Sequence, residues 1–75
     1  MNKNNKKENN IVCNINSICK NSGISVYALS KSINMHPNQM YKYTKNLDVP
    51  NLKTAMIIAN ALNVDVSVLW VINNK

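Results

Sequence analysis

From Ile11 onward apolar residues return every three or four positions, the period of helices with one buried side. Ile11, Ile15, Ile18 and Cys19, with small Ser22, fall at i, i+4, i+7, i+8 and i+11 and predict a first helix starting near Ile11. Gly23 offers it a left-handed end, and Ile24 is the apolar residue that accompanies such an end. Ser25 suits the cap of a second helix, whose inner side carries Leu29 and Ile33 and which Asn34 interrupts. After Met35, His36-Pro37 opens a third helix, proline being suited to the first helical position, with Met40 and Tyr43 facing inward. Residues 45–50 read as a loop. Asn51 caps a fourth helix with Leu52, Ala55, Met56, Ala59 and Leu62 inside, and Asn63 ends it.

The last apolar stretch, VSVLWVI at residues 66–72, fits two structures. Its β-branched content suits a strand, but Asp65 is placed to cap a helix, and Val66, Leu69 and Trp70 would share a helical face. The expected fold class is therefore all-α, a compact five-helix domain over residues 11–75, with residues 66–72 a helix rather than a strand. Residues 1–10, MNKNNKKENN, hold nothing apolar after Met1 and predict a disordered basic arm, or a solvated tail without a role.

Size changes this picture by making a partner desirable. A domain of 75 residues buries only about 60% of the surface its unfolded chain exposes, and such domains lean on disulfides, a metal or a second subunit. Cys13 and Cys19, placed on one helix, would point to different sides and stay unpaired. His36 is the only histidine and there is no Cys-x-x-Cys, so neither a metal nor any other cofactor is expected. A second subunit remains. Val68, Trp70, Val71 and Ile72 are the candidates for a homodimer interface, since one short helix cannot turn so many apolar residues inward; Trp70 would serve either the monomer core or that seam.

Charge narrows the partners. Nine lysines and no arginine oppose Glu8, Asp48 and Asp65, for a net charge of +6, which favours polyanions. The longest apolar run, Val68 to Ile72, is far short of the ~20 residues of a membrane span, and residues 1–10 lack the apolar segment of a signal peptide. A cytoplasmic protein without membrane association follows as the expectation. With isolated acids and one histidine, the chain is not expected to be an enzyme, and no small-molecule ligand is expected.

Val26 to Lys45 carries the functional signal. Two helices crossing steeply need apolar contacts where they touch, a small residue at the crossing and a turn residue that tolerates positive φ. Leu29, Ile33, Met35, Met40 and Tyr43 supply the first, Ser30 the second and Asn34 the third. That arrangement leaves the outer face of the second of the two helices free to enter a major groove.

From about Ile15 to Trp70 the chain resembles the phage repressor and Cro family of helix-turn-helix domains, found also in xenobiotic-response-type bacterial regulators. The resemblance lies in Ile15, Ile18, Gly23-Ile24-Ser25, Leu29-Ser30, Ile33-Asn34-Met35, Met40, Pro50, Ile58-Ala59, Ala61-Leu62, Val64 and Leu69. Asn34, Asn46 and Asn63 stand where the family has glycine, and asparagine is the next-best left-handed residue. Val26 replaces a phosphate-touching Gln, His36 a Ser or Thr cap, and Thr44 a Glu.

The resemblance implies base contacts from Pro37, Asn38 and Lys42, with Gln39 and Tyr41 beside them. Asn38 can pair with adenine and Lys42 with guanine, while Pro37 offers only apolar contact. It implies phosphate contacts from Lys45, Asn46, Asn51 and Lys53. The function expected is a sequence-specific regulator that binds double-stranded DNA, a repressor acting by operator occupancy. The alternative is a protein-interaction module on the same fold, antitoxin- or antirepressor-like, which the lysine-only charge and the missing Gln leave open.

Overall fold

The computed structural model describes residues 10–73. Residues 1–9 of the expected arm lie outside the described residues. Strand β1 (Asn10–Cys13) leads into helices α1 (Ile15–Ser22), α2 (Val26–Ser32), α3 (Pro37–Thr44), α4 (Leu52–Leu62) and α5 (Val66–Leu69), and strand β2 (Trp70–Asn73) closes the chain. Five helices make up most of the described domain, as the apolar spacing implies, around a core of Ile15, Cys19, Leu29, Met40, Tyr43, Ile58, Ala59, Leu62 and Leu69.

Helices α1 to α4 all end in the same way. The residue after each helix, or one beyond, is left-handed: Gly23 at φ 74°, Asn34 at 61°, Asn46 at 60° and Asn63 at 60°. Each donates its N–H three residues back, and the following residue donates five back: Ile24 to Cys19 at 3.1 Å, Met35 to Ser30 at 2.8 Å, Leu47 to Lys42 at 2.9 Å and Val64 to Ala59 at 3.0 Å. This double closure satisfies carbonyls that a helix end leaves bare. Starts are equally local. Ser25 Oγ accepts from Ala28 N at 2.9 Å, His36 Nδ1 from Asn38 N at 3.1 Å and Asn51 Oδ1 from Thr54 N at 2.8 Å. The histidine thus caps α3 as an Asn or Ser would. Asp65 precedes α5 but makes no side-chain cap bond.

Three expectations need correction. The first helix begins at Ile15, not near Ile11, because residues 10–13 are a strand that separates Cys13 from the helix of Cys19. The 66–72 segment divides: one helical turn to Leu69, then strand from Trp70. The two strands pair antiparallel within the chain, Ile11 against Ile72, Val12 against Val71 and Cys13 against Trp70. Asn14 fastens the far end, its N–H donating to Leu69 O at 2.7 Å and its Nδ2 to Val68 O at 3.2 Å. Third, Leu52 and Met56 are 70% and 55% exposed, and Ile58 takes the inner place. LKTAMIIANAL is apolar on both sides, so period alone does not choose the buried one.

The pairing also rearranges the exposed apolar residues. Val68, Val71 and Ile72 face water as expected, but neighbours along a strand point to opposite faces. Val71 joins Val12 on one face of the pair; Ile72 joins Ile11, Cys13 and Trp70 on the other, where Cys13 and Trp70 pack on the core.

Candidate nucleic-acid interface

Ser30 sits at the crossing of α2 and α3 with no exposed surface. Its hydroxyl donates to Tyr27 O at 2.7 Å and its carbonyl accepts from Met35 N, so a buried polar residue is satisfied while its small size lets the helices approach. Val26, in place of the family's Gln, packs against the core. Met40 and Tyr43 are buried and fix which side of α3 faces out.

That outward side carries Asn38, Tyr41, Lys42 and Lys45, at i, i+3, i+4 and i+7, all exposed. With Leu47 they line one open hollow of about 330 Å³. Four of the nine expected site residues are thereby brought together. Pro37 lines a neighbouring hollow of about 300 Å³ with Lys31, Asn34, Met35 and His36. Gln39 is half-buried, and its Nε2 donates to Asp48 Oδ2 at 3.0 Å. Asn46 Oδ1 accepts from Cys13 N at 3.0 Å and Asn51 Oδ1 from Thr54 N, so both oxygens already serve the fold. Lys53 is exposed on the first turn of α4 and does not line the hollow.

Leu47 and Asp48 are the residues that sequence reasoning passed over as loop. Their signal was present: Asn46-Leu47 repeats the left-handed-then-apolar pair of Gly23-Ile24, which folds the chain back over the end of α3. Elsewhere little chemistry is on offer. Burial pushes the Cys13 thiol up, against a hydrogen bond with the Ile15 backbone that lowers it. Burial and the neighbouring Cys13 both raise Cys19. Among the described residues no three His, Cys, Asp or Glu side chains group as metal ligands, and no helix is long and apolar enough to cross a membrane.

The family model of the Cro/C1-type HTH DNA-binding domain matches residues 14–73. That span begins at Asn14, which ties α1 to α5, and covers the hollow with all its lining residues. Comparison with curated proteins and with solved structures gives no match.

Proposed function

The chain belongs to the Cro/C1-type HTH DNA-binding domain family, and on that premise we propose that it is a cytoplasmic, sequence-specific repressor acting by operator occupancy, of the xenobiotic-response type. The observation that carries this reading is the single exposed face of α3, capped at both ends and bearing Asn38, Tyr41, Lys42 and Lys45. Asn38 and Lys42 read base edges, flanked by Pro37, Gln39 and Tyr41. Lys45 and Lys53 meet phosphates. Asn46 and Asn51 contribute through Nδ2, since their oxygens are taken.

Selection of bound sequences from a random duplex pool tests the reading. Asn38→Ala and Lys42→Ala should each cost about 1–3 kcal/mol on the selected site and little on random DNA. Lys45→Ala or Lys53→Ala should weaken both alike and flatten the salt dependence by about one unit. A homodimer completes the proposal. It is held through Val68 and Val71, with Val12 beside Val71 on the same strand face, while Trp70 packs on the core of its own subunit and Ile72 shares that other face. Val71→Lys should then sediment as a monomer with intact helical circular dichroism. A protein-interaction module is the second reading, supported by the exposed Leu52 and Met56 on the outer side of α4. Absence of salt-sensitive binding to random duplex would favour it.

A further inference from the structure

Resting on the DNA-binding reading above, we propose that Leu47, with the Tyr41 ring, is an apolar seat for a deoxyribose of the DNA backbone, beside the cationic groups of Lys42 and Lys45. The four left-handed helix ends single this residue out. Each is followed by an apolar side chain, and Ile24, Met35 and Val64 pack against the core. Leu47 does not: it is 72% exposed, the most exposed of the large apolar side chains among the described residues, and lines the hollow of Asn38, Tyr41, Lys42 and Lys45. Its backbone is nonetheless fixed. Asn46 N–H donates to Tyr43 O at 3.0 Å and Leu47 N–H to Lys42 O at 2.9 Å, so little ordering accompanies binding.

The chemistry of the hollow selects the occupant. The Lys45 ammonium, assigned to a phosphate, calls for an anion, and an aromatic ring with an exposed leucine calls for C–H surface. A nucleotide backbone unit offers both, a phosphate joined to a sugar. A base is the poorer match, because residues at the N-terminal end of a reading helix meet base edges and Leu47 lies beyond the C-terminal end of α3. Such a contact is indifferent to sequence and releases no counterion, so it adds affinity that salt does not remove.

Titration of the full chain with its selected duplex and with random duplex, across salt concentrations, tests this. Leu47→Ala should weaken both by about tenfold and leave the slope of log affinity against log salt unchanged. Leu47→Met should restore binding, and Lys45→Ala in the same assay should lower the slope. Met56→Ala, which removes an exposed apolar residue outside the hollow, should bind as the parent does. Because Leu47 is exposed, its variants should melt with the parent by circular dichroism. Parental affinity for Leu47→Ala, a loss confined to the selected site, or a changed slope would overturn the sugar seat while leaving DNA binding standing. A parent chain without salt-sensitive DNA binding would instead overturn the DNA reading, and the seat with it.

Discussion

In the α2–α3 unit the bonds that set the caps and the turn close within five residues: Ser25 with Ala28, Ser30 with Tyr27 and Met35, Asn34 with Lys31, His36 with Asn38. The β1–β2 pair is made the other way, joining residues 10–13 to residues 70–73. A two-stranded pair is marginal alone, and this one holds because Cys13 and Trp70 lie on the core and Asn14 reaches α5. The presenting unit thus carries its own instructions, whereas the strand pair exists only once the helices have assembled. Asn46 connects the two. Its backbone ends α3 in the left-handed region, and its side chain accepts the Cys13 N–H.

Two probes separate these parts: far-ultraviolet circular dichroism follows the helices, and the fluorescence of Trp70, the single tryptophan, follows β2. Leu29→Ala should have the largest effect, about 2–5 kcal/mol, because Leu29 is fully buried in α2 and leaves a cavity. Both probes should fall together, since the strands cannot outlive the core. Fluorescence surviving the loss of helix would reverse the dependence drawn above.

Val12→Pro should cost less, about 1–3 kcal/mol. Cys13 N–H is spent on Asn46, so Cys13 and Trp70 form the pair without ladder bonds. Alternation along an antiparallel ladder then makes Val12–Val71 a bonded pair. Proline removes its donor. Trp70 fluorescence should melt ahead of circular dichroism. Coincident melting, with a loss as large as that of Leu29→Ala, would make the strands part of the core.

At the junction, Asn46→Ala should cost about 1–2 kcal/mol, through the lost hydrogen bond and the strain of alanine at φ 60°. Asn46→Gly should cost about half of that, glycine being at ease there. Equal costs would mean that the backbone conformation matters little and the tie to β1 accounts for the whole effect.

What the sequence made legible divides along the same line. Gly23, Asn34, Asn46 and Asn63 announced four helix ends, Ser30 the crossing, and Met40 with Tyr43 the orientation of α3. All are local rules. Ile11-Val12-Cys13 and Trp70-Val71-Ile72 are short apolar runs compatible with helix or strand, and only their mutual pairing decides, which no local window contains. The hollow was legible in part. The resemblance named Asn38, Tyr41, Lys42 and Lys45 as contact residues, but that Gln39 would turn to Asp48 and Asn46 to Cys13 depends on loops brought in from elsewhere.

The smallest effect belongs to the two serine- and aspartate-led helix starts, which look alike in sequence and differ in space. Ser25 and Asp65 each precede a valine that opens a helix, and both have extended backbones, at φ −78° and −77°. Ser25 Oγ accepts from Ala28 N at 2.9 Å, whereas Asp65 makes no cap bond to the single turn of α5. A helix of four residues has little dipole to reward a carboxylate, and its last residue, Leu69, is held by Asn14 through Leu69 O and by its own burial instead. Ser25→Ala should therefore cost about 1 kcal/mol, while Asp65→Ala should stay within about 0.5 kcal/mol of the parent. Chemical denaturation read by circular dichroism distinguishes the two. A loss at Asp65 equal to that at Ser25 would show that α5 depends on its cap as α2 does, and that the far edge of the domain is more local in origin than the strand pairing implies.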